Sequence, residues 1–67
     1  MSPEKMVQMA NQIAVFFDSQ PGGEPAAAVA AHLRDFWEPR MREQLKGYVT
    51  TGGADLRASV IAAAGRL

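Results

Sequence analysis

The sequence predicts an all-α fold, a small bundle of three to four helices. Pro3, Pro25 and Pro39 each stand where apolar residues begin to recur with helical spacing, and proline is favoured in the first turn of a helix. Two glycine pairs, Gly22-Gly23 and Gly52-Gly53, follow such stretches and suit the backbone conformations that end helices. No segment alternates polar and apolar residues over a useful length, so we expect no β-sheet.

The helices are predicted at about residues 3–18, 25–37, 39–50 and 54–66 of a single domain, residues 1–67. Ser2 is a suitable N-cap for the first helix, and Pro39 prevents the second helix from continuing into the third. Trp37 should be partly buried at the corner between those two helices. The apolar stripes should form the core, which is predicted to contain Met9, Ile13, Phe16, Val29, Leu33, Phe36, Met41, Leu45 and Val60.

The size and composition indicate that the chain depends on a partner or on an economical helical core. A domain of 67 residues buries only about 60% of the surface that its unfolded chain exposes. With no cysteine and a single histidine, the chain has no disulfide and cannot form a zinc site alone. The formal net charge is zero, so no overall field attracts nucleic acid or an anionic membrane. The sequence also lacks the continuous apolar segment of a signal peptide or membrane span, which together with the missing cysteine predicts a cytoplasmic protein.

No catalytic, cofactor-binding or metal-binding residues are predicted in this chain. The serines and threonines lie far in sequence from His32, the only histidine, and the glycine pairs lack the spacing and the lysine of a phosphate-binding loop. The basic residues of segment 34–46 are interleaved with acidic ones, which disfavours nucleic-acid binding.

More apolar surface is present than folding requires, which predicts a surface for docking a partner. Val15 falls on the polar side of the first helix, and the outer face of the second is rich in alanine. Ala54, Ala58 and Ala62 form a row on the fourth helix, with Ile61 beside them. The alternative is that alanine simply favours helix formation. We expect the isolated chain to self-associate or to have limited stability, because no partner then buries these apolar surfaces.

The segment Phe36–Arg42 combines two aromatic rings, a proline and two arginines at the corner between the second and third helices. Aromatic residues and arginine are enriched at protein–protein hot spots. The other interpretation is a buried aromatic hinge with Arg40 and Arg42 in solvent.

Several of these segments resemble the delta subunit of soluble NAD-dependent formate dehydrogenases. The strongest pieces are Met9-Ala10-Asn11-Gln12-Ile13 and the Phe36–Arg42 corner, and the Gly52-Gly53 tail is similar too. The tail departs from the family pattern at Arg57-Ala58-Ser59, where a proline is common. The candidate partner-binding residues are Trp37, Arg40, Arg42, Asn11 and Gln12.

The resemblance implies a subunit without cofactors in a cytoplasmic molybdenum or tungsten enzyme that oxidises formate and reduces NAD. Molybdopterin guanine dinucleotide, iron–sulfur clusters, FMN and NAD would then belong to the partner subunits. The subunit would dock on the large catalytic subunit and support its assembly, its stability or the maturation of its cofactor. The alternatives are a free-standing homo-oligomeric helical adaptor and, third, a small DNA-binding regulator.

Overall fold

A computed structural model describes residues 1–67 and confirms the predicted all-α fold class. Its four helices are α1 (Pro3–Asp18), α2 (Pro25–Phe36), α3 (Pro39–Thr50) and α4 (Ala58–Ala64), and no strand is present. The chain measures 31 × 22 × 18 Å along its principal axes. None of the helices combines the length and the apolar character needed to cross a membrane.

The first three helices begin at prolines, as the sequence predicts. Ser2 caps α1, its hydroxyl oxygen accepting the backbone N–H of Lys5 at 3.2 Å. Glu38 precedes Pro39 in an extended conformation, because the proline ring disfavours helical geometry in the residue before it. Trp37 is extended as well, so α2 ends at Phe36, one residue earlier than predicted.

The predicted start of the fourth helix at residue 54 is wrong, because α4 covers only Ala58–Ala64. Gly52, Gly53 and Asp55 have positive φ angles of 123°, 60° and 67°, which take the chain out of right-handed helical geometry. Asn11 of α1 also holds the following loop through two hydrogen bonds: its Nδ2 donates to the Asp55 carbonyl at 2.9 Å, and its Oδ1 accepts the Arg57 N–H at 3.0 Å. Residues 54–57 are therefore a loop fastened to α1.

One hydrophobic core lies between the four helices, and α2 packs most extensively on α4. Val29, Leu33, Leu45 and Val60 are fully buried, as predicted. Met9, Ile13 and Met41 are only half-buried. The remaining residues of this core are Met6, Ala10, Ala14, Ala30, Trp37, Ala63 and Ala64.

The prediction that Phe16 and Phe36 belong to the core is wrong, since Phe16 is 60% exposed and Phe36 is 73% exposed. Helix α1 points Met6, Ala10 and Ala14 inward at i, i+4 spacing, so Phe16 is rotated away from the core. Small side chains at these positions let the helices approach closely and leave little room for a ring. Trp37 instead reaches the core and is 6% exposed, more buried than the partial burial predicted for it.

Candidate docking surface

A groove between α1 and α2 combines exposed aromatic rings with half-buried aliphatic side chains. It measures about 350 Å³ and is open to solvent. His32 is the α2 residue that lines it, and the exposed ring of Phe36 lies against the His32 ring. We call the following residues the aromatic groove: Met9, Gln12, Ile13, Phe16, Phe17, His32 and Phe36.

Four rings form a continuous row across the two helices. Phe16 and Phe17 meet edge to face, with centroids 5.1 Å apart and planes at 82°. Phe17 contacts His32 at 5.9 Å and 63°, and His32 lies 4.7 Å from Phe36 at an interplanar angle of 34°. Edge-to-face and tilted arrangements of this kind suit the ring quadrupoles, so each ring helps to fix the position of the next.

The groove is equipped for apolar contact and contains neither a carboxylate nor a nucleophile. His32 is its only titratable side chain, and its polar groups are the His32 ring nitrogens and the Gln12 amide. At this surface the chain can bury another apolar surface and orient it with one or two hydrogen bonds.

The structure brings only one of the five candidate partner-binding residues into the groove. Gln12 lines it. Asn11, the next residue of α1, is engaged with the loop before α4. Trp37 is buried in the core beside the exposed Phe36.

The two arginines of the corner differ in their surroundings. Arg42 donates from Nη1 to the carbonyl oxygen of Arg34 at 2.8 Å and so satisfies a carbonyl in the last turn of α2. It does not pair with Glu38, the extended residue just before α3. Arg40 is exposed and forms no ion pair within the chain. The role of either arginine in partner binding stays a prediction.

The residues missed by the sequence analysis are Phe16, Phe36 and His32. Both phenylalanines fall on apolar stripes, which led to their assignment to the core. The apolar arc of α1 covers about half of the helix circumference, more than the usual stripe of a surface helix. That excess width was the available signal that one side of the arc lies outside the core.

Exposed apolar side chains are more scattered elsewhere on the surface. Val15 is 47% exposed and Ile61 is 39% exposed, and neither side chain lines the aromatic groove. A second cleft includes Glu4 and Asp55, and no group of three or more His, Cys, Asp or Glu side chains converges in a way that would hold a metal ion.

Comparison with known proteins identifies the family. No curated protein and no solved structure shows significant similarity to this chain. A family model does match, described as the delta subunit of NADH-dependent formate dehydrogenase, FdsD, and the match covers residues 5–64. Because these residues cover nearly the whole chain, with α2, α3, α4 and all but the first two residues of α1, the chain belongs to the FdsD family of formate dehydrogenase delta subunits.

Proposed function

We propose that this chain is a non-catalytic delta subunit that docks on the large catalytic subunit of a cytoplasmic NAD-dependent formate dehydrogenase. By docking, it supports the assembly or stability of that subunit, or the maturation of its molybdenum cofactor. The observation that carries the proposal is the aromatic groove, a concentrated apolar surface on a chain whose family is defined by its membership of a larger enzyme.

The exposed rings supply a driving force for association. A phenylalanine side chain has roughly 150–250 Å² of surface, so Phe16 at 60% and Phe36 at 73% exposure leave two large areas in water. Together they expose on the order of 250 Å², whose burial is worth about 6 kcal/mol at about 25 cal/mol per Å². Association itself costs about 4–15 kcal/mol, so a stable complex needs further contacts around the groove.

The cofactors belong to the other subunits in this proposal. The chain has no cysteine and therefore offers no thiolate to an iron–sulfur cluster. Molybdopterin guanine dinucleotide, iron–sulfur clusters, FMN and NAD would be held by the partners. The delta subunit would act on them only through the subunit that it contacts.

Co-expression tests this function. The enzyme subunits, with a tag on the catalytic subunit, are produced with and without this chain. We measure co-purification, molybdenum content and formate-dependent NAD reduction. We expect the chain to co-purify, and its omission to lower the yield or molybdenum content of the catalytic subunit. Retention in the active enzyme would indicate a structural subunit, and loss after cofactor insertion an assembly factor.

The alternatives make different predictions in the same preparation. A homo-oligomeric adaptor would be recovered as a self-associated species without enzyme subunits. A DNA-binding regulator would be recovered with nucleic acid. Either result, together with unchanged formate oxidation when the chain is omitted, would overturn the proposal.

A further inference from the structure

We propose that the aromatic groove receives one amphipathic helix of a partner subunit, rather than a second copy of this chain. This inference rests on the proposed function, since it specifies the surface and the chemistry of that docking. The occupant presents apolar side chains on successive turns and places a polar face toward solvent.

The spacing of the groove residues matches a helix. Met9, Ile13 and Phe16 line one wall with i, i+4, i+7 spacing. At 1.5 Å per residue they cover about 10 Å of the α1 axis, which is two turns of a facing helix. His32 of α2 lines the opposite side, and Phe36, one turn further along α2, lies against the His32 ring. A helix of the partner, seated between α1 and α2, would insert apolar side chains at its positions i, i+3 or i+4, and i+7. This is the usual pattern for a helix bound in a groove.

The available area argues against a second copy as the occupant. A stable dimer buries roughly 800 Å² on each partner, which is about a fifth of the 4170 Å² that this chain exposes. The exposed parts of the Phe16 and Phe36 rings account for on the order of 250 Å², and the other groove residues are at most half-exposed, apart from Gln12. The groove therefore provides well under the area of one dimer face, whereas it suffices to hold two turns of a helix within a larger contact.

The shape leads to the same conclusion. A two-fold dimer places the same patch of both copies face to face. Two concave grooves of about 350 Å³ would then oppose one another and enclose unfilled space unless the rings rearranged. Empty apolar space forfeits dispersion contacts, so a convex occupant such as a helix fits better.

Charges flank the groove without entering it. Lys5 lies one turn before Met9 on α1, and Asp35 lies three residues after His32 on α2. Both are exposed and neither forms an ion pair within the chain. An occupant with apolar anchors and charges of both signs on its borders would complement this arrangement.

Photo-crosslinking in the assembled complex tests the inference. The crosslinking amino acid p-benzoylphenylalanine replaces Phe16 or Phe36 in co-expressed enzyme, and Val15 and Ile61 serve as control positions on other surfaces. We expect crosslinks from positions 16 and 36 to converge on one short segment of another subunit, in which apolar residues recur with helical spacing. Crosslinks to a second copy of this chain, to a segment without that spacing, or to nothing in an intact complex would overturn it.

A synthetic peptide of the crosslinked segment then provides the quantitative test. We expect Phe16→Ser with Phe36→Ser to weaken peptide binding at least about 30-fold, as for interface hot spots. Val15→Ser, on the same helix, should change it less than about threefold, as expected away from the contact. Equal binding by both variants would refute the groove as the site.

The same variants separate the two proposals. If the double serine variant still co-purifies with the catalytic subunit as wild type does, the groove assignment fails and the proposed function stands. If the wild-type chain fails to co-purify with any enzyme subunit, the proposed function itself fails.

Discussion

Replacing Asn11 with alanine should destabilise the isolated chain, because the Asn11 side chain fastens the loop before α4 to α1. The change removes the hydrogen bonds to Asp55 and Arg57, of 2.9 and 3.0 Å. Each is worth about 0.5–1.5 kcal/mol net, and water can reach the freed groups, so we expect a loss of about 1–2 kcal/mol. A chain of 67 residues has a free energy of unfolding of roughly 3–10 kcal/mol in total. The loss should therefore lower Tm by about 5–15 °C.

Urea and thermal unfolding followed by far-UV circular dichroism measure this loss, and Gln12→Ala is the matched control. Gln12 is the next residue of α1 and is exposed, and its side chain forms no hydrogen bond within the chain. Its replacement should therefore change stability by less than about 0.5 kcal/mol. Asn11→Asp should fall between the two, since it keeps an acceptor for the Arg57 N–H and loses the donor to Asp55. If Asn11→Ala is as stable as Gln12→Ala, the two Asn11 hydrogen bonds to the loop do not contribute to stability, and the prediction is refuted.

Five further substitutions test the structure, and four of them compare pairs of residues that look alike in the sequence. Trp37→Ala should cost about 3–5 kcal/mol because the ring is buried, whereas Phe36→Ser should cost less than about 1 kcal/mol. Comparable losses in urea unfolding would contradict the exposed position of Phe36. Gly52→Ala should cost about 1–3 kcal/mol, because φ is 123° there, and an unchanged Tm would argue against that conformation. Arg42→Ala should cost about 1 kcal/mol through its lost hydrogen bond to an α2 carbonyl, while Arg40→Ala should be neutral in the isolated chain. Equal stability of the two arginine variants would show that the bond contributes nothing.

Features controlled by local residues could be predicted from the sequence, and features controlled by distant contacts could not. Ser2 and the prolines determine the helix starts within a few residues of themselves, so the starts of α1, α2 and α3 were correct. The start of α4 depends on Asn11, which is 44 and 46 residues away from its hydrogen-bond partners. No local pattern around residue 54 reports that contact.

The same distinction between local and distant contacts explains which residues of the candidate site could be predicted. Helical periodicity shows that Phe16 and Phe36 belong to apolar arcs, but it does not show which part of each arc meets a neighbouring helix. The packing of α2 on α4 and the inward direction of Ala10 and Ala14 determine which part of each arc is buried. Gln12 could be selected from its motif, whereas the aromatic groove beside it appears only when α1 and α2 are placed together.

The distribution of residue sizes indicates what the exposed rings are for. Five of the eleven residues of the buried core are alanines, while Phe16 and Phe36 remain in water. Burying one such ring stabilises a fold by about 1.5–3 kcal/mol. Two rings outside the core therefore forgo about 3–6 kcal/mol, a large part of the roughly 3–10 kcal/mol expected for a chain of this size. Folding alone gives no reason to leave that free energy unused. Association does, because the same apolar area is then buried when a partner helix enters the groove.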